Sequence, residues 1–467
     1  MKKMKDADES TTKANPTRFE DGTQDATIED LTVVHAWSDV KRTMFLLMVA
    51  FHAMMGIFMV AGIIPASSSL AEQYNVSEVE VSYLISVPVL LVGIFPILWS
   101  QVSNAIGLNQ VLLLSVFGAC VCNIAGGFCK SYGSQMATRV VMSFFICPPL
   151  GIGSKVATEL FPPGKRGQKL GVWTLMSTLG APGGPFIMGF VIQHLNHNWM
   201  FWVFAIINIC QLIAYITLFS WSDNVTTQSH FWKHLRNNLK SRGEPPIKLN
   251  SMASCLLHKN VVIPIFAYAI QYSYSNLVMV VEMPIAIGAK FQLDAQAIGL
   301  QYISIILGAV IGEIIAGRVS DLFMRSQRNR GRTDPDIRLW IGYPGIISAV
   351  VGIVIWGVQL QNSAEGHWNV TPLIGCGISN FGNQVMTTTW VSFAVDSFPT
   401  YSAEIGLWTN LFRQTWGFVG PFYFPRMFER CGFAVAAGIF VVIITGFSAL
   451  PIFYVHLTGK MKATRLH

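Results

Sequence analysis

Residues Thr43 to Pro65 read Thr-Met-Phe-Leu-Leu-Met-Val-Ala-Phe-His-Ala-Met-Met-Gly-Ile-Phe-Met-Val-Ala-Gly-Ile-Ile-Pro, a run without Asp, Glu, Lys or Arg. As a helix, about 20 such residues cross the roughly 30 Å hydrocarbon core of a bilayer. Comparable runs recur at about 81–101, 111–130, 135–156, 170–192, 199–221, 261–282, 298–320, 338–360, 371–395, 403–424 and 433–456, making twelve. Strict apolar–polar alternation is absent, so helices are expected rather than barrel strands. Composition agrees, with 52% of the 467 residues hydrophobic and 12% charged. Soluble domains carry roughly a quarter charged residues. A soluble enzyme, a disordered chain and a nucleic-acid binder are thereby excluded. An all-α polytopic membrane protein, with the lipid bilayer as its surroundings, is expected.

The formal charge of +7 follows topology rather than a nucleic-acid partner, because Lys and Arg gather on the cytoplasmic side of a membrane. With the N-terminus inside, the cytoplasmic segments hold seven Lys and Arg up to Arg42, then Lys165, Arg166 and Lys169. Six more lie between Lys233 and Lys259, followed by Arg325, Arg328, Arg330, Arg332, Lys460, Lys462 and Arg465. The other side has Lys290, Arg426 and Arg430, with Lys130 at a boundary. Twelve spans then put both termini in the cytoplasm. The polar start contains no apolar stretch after a basic one, so no cleaved signal peptide is expected. The reading divides the chain into a disordered tail (1–42), a six-helix bundle (43–221), a cytoplasmic linker (222–260), a second six-helix bundle (261–456) and a short tail (457–467). The linker is rich in Lys, Arg, Asn and Ser and carries Pro245-Pro246.

The halves echo one another. The second span leaves the membrane as Trp99-Ser-Gln-Val-Ser-Asn104 and the eighth as Ala316-Gly-Arg-Val-Ser-Asp321; the fifth carries Gly184-Pro185 and the eleventh Gly420-Pro421. Two pseudo-symmetric bundles of six helices are the architecture of transporters whose halves rock about a central site.

Polar groups inside spans are costly and mark cavities or pairing sites. Asn410, Arg413, Gln414 and Gly417 share one face of the eleventh span; Asn380, Asn383, Gln384 and Thr387 do so in the tenth. The seventh has Tyr268, Gln271, Tyr272 and Ser275, with Glu282 further along. These stripes either hydrogen-bond neighbouring helices or line a substrate path. Glu313, in the cytoplasmic third of the eighth span, is the candidate for proton coupling, since a carboxylate withdrawn from water holds its proton more tightly. A structural pairing with Arg318 is the alternative. Asp396 reads as a gating partner at the cytoplasmic end of the tenth span, and Arg139, a buried cation in the fourth, as a second candidate for proton coupling.

The eight cysteines are scattered without disulfide or metal spacing. No ATP-binding or hydrolase motif is present. No enzyme and no cofactor are expected. The sequons at Asn75 and Asn369 fall outside on this topology, and that at Asn224 inside.

The fifth span reads Gly171, eight residues, Gly180, three residues, Gly184-Pro185, two residues, Met188-Gly189. This resembles the antiporter motif of the major facilitator superfamily, G-x8-G-x3-GP-x2-GG, with Met188 in place of a glycine. Small residues let helices approach closely, and Pro182 and Pro185 bend the span. Arg139 falls where that superfamily places the Arg of its fourth-helix motif, although Ser143 replaces the usual glycine. Cys147-Pro-Pro-Leu-Gly-Ile-Gly153, Gln168-Lys-Leu-Gly-Val-Trp-Thr174 and Ile311-Gly-Glu-Ile314 resemble fungal members of the twelve-helix drug:proton antiporter family. So do Arg338-Leu-Trp340 and Arg413-Gln-Thr-Trp-Gly-Phe418 running into Gly420-Pro-Phe-Tyr-Phe-Pro425. The branch resembled includes the yeast polyamine and histidinol transporter.

The resemblance covers about residues 40–456 and implies a monomeric transporter of the fungal plasma membrane, driven by the proton gradient. One departure concerns the loop after the second span, which in the superfamily reads D-R-x-G-R-R and here is Asn104-Ala-Ile-Gly-Leu-Asn109. Its second copy keeps Gly317, Asp321 and Arg325, so gating is expected to rely on that copy, with Asp321 and Asp396. Three functions follow: export of a small organic molecule such as a secondary metabolite, toxin or xenobiotic; uptake of a cationic nutrient such as a polyamine, which needs carboxylates in the cavity; or a membrane sensor that does not transport.

Overall fold

A computed structural model describes residues 38–161, 163–222, 249–329, 335–398 and 401–464. Residues 1–37 of the expected tail, 223–248 of the expected linker with Asn224, and 465–467 lie outside the described residues. The helices begin at recognisable signals. Helix α1 (Asp39–Ala61) is capped by Ser38, and α2 (Glu78–Ile106) by a reciprocal Ser77–Glu80 box. After α3 (Leu108–Gly127), a second box of Ser131 and Ser134 opens α4, formed by Tyr132–Ile146 and Pro148–Leu160 in succession. The break in α4 falls at Cys147, before Pro148 and Pro149. Pro148 cannot donate to the carbonyl of Phe144, which instead accepts from Trp99 Nε1 on α2 at 2.6 Å.

The first half closes with α5 (Pro163–His194) and α6 (Trp199–Ser222). In the second half, α7 runs as Lys259–Tyr272, a π-helical turn Ser273–Leu277, and Val278–Val281. Next come α8 (Ile303–Asn329), α9 (Leu339–Asn362), α10 (Thr371–Ser397) and α11 (Ser402–Val419). The last, α12, is Phe424–Ile444 continued by a π turn and Leu450–Thr464. Gly432, at φ +75°, splits Phe424–Cys431 from the spanning part of α12. Between α2 and α3 the whole connection is Gly107 at φ +98°, a conformation open to glycine. The charge-poor loop noted above is thus a single-residue corner.

Ten helical stretches among the described residues are long and apolar enough to cross a membrane. One of them, Ser402–Thr458, contains α11 and α12 together. Helix α10 is not among the ten, because Asn380, Asn383, Gln384 and its Ser and Thr residues lower its hydropathy. All of those amides are buried, so α10 lies inside the protein. Lipid is met by side chains such as Phe117, Ile206, Ile213, Leu307, Ile314, Ile347 and Val442, which remain exposed.

Helices pack through glycines. On α5, Gly180 and Gly184 press on α1: a methyl at Gly184 would come within 2.6 Å of the Phe58 carbonyl, and one at Gly180 would overlap that of Met54. Gly189 faces Ala295 and Gly299, in the short helix Ala295–Gln301 ahead of α8. Helices α9 and α10 meet at Gly345, Gly352, Gly375 and Gly382; a methyl at Gly375 would lie 2.5 Å from Trp356 N.

Two outcomes are expected. Gly352→Ala, whose methyl would overlap the Ser379 backbone, should destabilise the protein by about 1–3 kcal/mol through overpacking. Gly438→Ala, which meets nothing within 4 Å, should not; thermal melting of the purified variants compares them. At the sequons, exposed Asn75 should carry the glycan. Asn369 is tied up, donating to Ser363 Oγ at 3.1 Å and accepting from Thr371 N at 3.0 Å. Glycosidase treatment of protein made in a eukaryotic host should lower its apparent mass, and Asn75→Gln should abolish that shift.

Candidate functional site

Between the halves lies a cavity of about 20 Å³, room for a water molecule. Leu150 of α4 and Trp173, Thr174 and Ser177 of α5 form its first-half wall. Tyr268 of α7, Thr387 and Val391 of α10, and Thr409, Asn410 and Arg413 of α11 form the other. Trp173 is held edge-on against Gly153, where any side chain would overlap the indole, and its Nε1 donates to the Pro149 carbonyl at 3.1 Å.

Arg413 is the charged member of the lining and is 5% exposed. Its Nη2 donates to Asn410 Oδ1 at 3.2 Å, and its guanidinium lies 5.2 Å from the ring centre of Tyr272. Asn410 is itself fixed, since its Nδ2 donates to the Val92 carbonyl of α2 at 2.8 Å. That carbonyl is available because Pro96, four residues on, has no N–H to offer it. Gln414 packs against Gly93 of α2, with Nε2 unpartnered.

Glu313 sits one helical turn from the cavity. Its Oε2 accepts from Gln384 Nε2 at 2.8 Å and from the Thr388 hydroxyl, both on α10. Its Oε1 lies against Gly171, the first glycine of the spaced set on α5, where a methyl group would overlap it. Gly171 is one turn before the cavity-lining Thr174. The carboxylate is therefore enclosed by a helix of the first half and two of the second.

The other stripes divide. Asn380 and Asn383 face α7 rather than the cavity: Asn276 Nδ2 donates to Asn380 Oδ1, and Ser275 Oγ to Asn383 Oδ1 at 3.3 Å. Together with Ser379, which donates to the Ser275 carbonyl at 2.9 Å, they brace the π turn of α7. Gln271 is buried with both amide atoms unpartnered. Glu282, the C-cap residue after Val281, is buried and is not part of the cavity lining. Asp396 accepts from Arg338 Nε at 2.7 Å, while Arg338 Nη1 donates to Ser320 Oγ at 2.7 Å, tying α8, α9 and α10 at one end. The side chain of Asp321 lies outside the described residues.

Periodicity did not single out Trp173, Thr174 and Ser177, although their spacing on α5 is a readable polar face. Nor did it single out His52, buried in α1 with Nδ1 3.3 Å from Tyr215 Oη and Nε2 3.1 Å from Ser115 Oγ.

Arg139 binds backbone carbonyls of its own half. Its Nη1 and Nη2 donate to the carbonyls of Met59 and Val60 at 2.6 and 2.9 Å, in the last turn of α1. Its Nε donates to the Leu84 carbonyl at 3.3 Å, which Pro88 leaves without a helical donor. A cation at a helix C-terminus also meets the negative end of the dipole. Arg139→Gln should therefore cost about 1.5–3 kcal/mol, the worth of charged hydrogen bonds. Arg139→Lys should restore only part of the loss, because an ammonium cannot fork to two carbonyls in the same way; thermal melting measures both.

The profile described as Major Facilitator Superfamily matches residues 46–421. The chain is 25% identical over 405 residues to "Probable efflux pump mfs2" of Aspergillus flavus, covering 83% of this chain and 95% of that protein. It is 24% identical over 421 residues to "Efflux pump vrtL" of Penicillium aethiopicum, covering 86% and 82%. The crystal structure of the human organic anion transporter MFSD10 (TETRAN) shares the fold, with a TM-score of 0.60 at 13% identity over 89% of this chain and 99% of that one. The antiporter-like glycines of α5, the two halves around one cavity and these likenesses converge: the chain belongs to the major facilitator superfamily and is a membrane-spanning secondary transporter, not an enzyme.

Proposed function

We propose that the protein is a proton-coupled exporter of small organic molecules, working as a monomer in the fungal plasma membrane with both termini in the cytoplasm. The observation that carries this reading is the setting of Glu313. Its carboxylate belongs to the second half, yet is covered by Gly171 of the first. Rocking of the halves lifts α5 from Glu313 or presses α5 onto it, so the movement that opens the cavity also changes the carboxylate's access to water. Protonation removes the charge that resists enclosure, and the occupancy of one proton becomes linked to the direction in which the cavity faces. Export is favoured by the relatives named as efflux pumps. Polyamine uptake is disfavoured by the lining, where a polycation meets Arg413 and no carboxylate. The paired Arg338 and Asp396 act in this reading as a gate at the cytoplasmic end.

Proteoliposomes under an imposed pH gradient, offered a panel of fluorescent metabolites and drugs, test the proposal. Glu313→Gln keeps the hydrogen-bonding shape and cannot titrate. It should abolish gradient-driven accumulation while leaving exchange of substrate for substrate intact. Gradient-driven flux at the unmodified rate in this variant would remove Glu313 from the mechanism. Gly171→Ala should also suppress driven flux by forcing the carboxylate aside.

A further inference from the structure

We infer that the central cavity selects cargo bearing an acidic group, a carboxylate or acidic phenol on an aromatic frame, with Arg413 as its anchor. This rests on the reading of the cavity as the cargo site. A guanidinium withdrawn from water requires a countercharge or a full set of acceptors, such as the three carbonyls around Arg139, because an unpaired buried cation is strongly disfavoured. Arg413 is nineteen-twentieths buried, and its one hydrogen bond goes to a neutral amide. Its Nε has no partner. No ion pair joins it to a carboxylate among the described residues: Glu313 is engaged by Gln384 and Thr388, and Asp396 by Arg338.

The anchor is also built in advance. Pro96 frees the Val92 carbonyl, Val92 orients Asn410, and Asn410 presents its oxygen to Arg413. Tyr272 supports one face of the guanidinium, which leaves its edge donors for a ligand. Such a planar fork matches the two oxygens of a carboxylate. Trp173 and Tyr268 on the walls supply aromatic surface for the rest of the cargo. The cavity must widen to admit it, which is the motion the halves perform.

Binding to the purified full-length protein in detergent, measured by calorimetry, tests this with three probes of one frame: 2-naphthoate, its methyl ester and 2-naphthylmethylamine. The naphthoate should bind roughly ten- to hundred-fold more tightly than either, the worth of one charge-assisted hydrogen bond. Arg413→Gln should erase that preference and Arg413→Lys keep part of it, with melting curves confirming that both variants are folded. Equal binding of the ester, tighter binding of the amine, no binding of naphthoate, or an unchanged preference in Arg413→Gln overturns the inference. Loss of gradient-driven flux alongside an intact naphthoate preference would sink the exporter reading alone. Driven flux without charge preference would sink this one alone.

Discussion

A carbonyl freed by proline inside a bilayer has no water to turn to, and this constraint organises the molecule. Pro88, Pro96 and Pro148 each deprive the carbonyl four residues earlier of its helical donor. Each orphan is taken up by a side chain from a different helix: Leu84 by Arg139, Val92 by Asn410, and Phe144 by Trp99. Two of these ties hold the first half together. The third crosses to the second half and fixes the orientation of the one charged side chain in the cavity. Bends introduced to shape a cavity thus also supply the acceptors that position its polar groups.

Glycines supply the complementary device. Helix α5 presents Gly180 and Gly184 to α1 and turns Gly171 and Gly189 toward the second half. One helix thereby serves as core within its own bundle and as a contact surface against the other. The charge-poor α2–α3 corner is a one-residue connection through Gly107. In the second half, Arg338 joins Asp396 and Ser320 and so ties three helices together by charge and hydrogen bonding.

Much of this was legible beforehand. Apolar run lengths placed the spans, and the glycine spacing of α5 pointed to close helix contacts that the structure contains. Helical periodicity groups the polar residues into faces, but a face does not say which neighbour it meets. Hence Asn380 and Asn383 turn to the π turn of α7, while Asn410 and Arg413 turn to the cavity. Charge alone marks Arg139 in the sequence, yet its partners are backbone carbonyls, two at the end of α1 and one freed by a proline in α2. Glu313's enclosure by Gly171 joins residues 142 positions apart. Such long-range partnerships are set by packing, and a single sequence carries no local trace of them.

The polarity of α10 makes its place in the bilayer depend on its neighbours. A segment with two asparagines, a glutamine and a row of hydroxyls near its centre partitions poorly into lipid by itself. Its fit against α9, backbone to backbone at Gly345–Gly382 and Gly352–Gly375, gives it a companion. In the finished fold α10 is kept from lipid by its neighbours: α9 on the glycine face, α8 at Gly308 against Gly377, and α7 at the asparagines. The same glycines that allow close packing thereby make a polar helix tolerable within the bilayer.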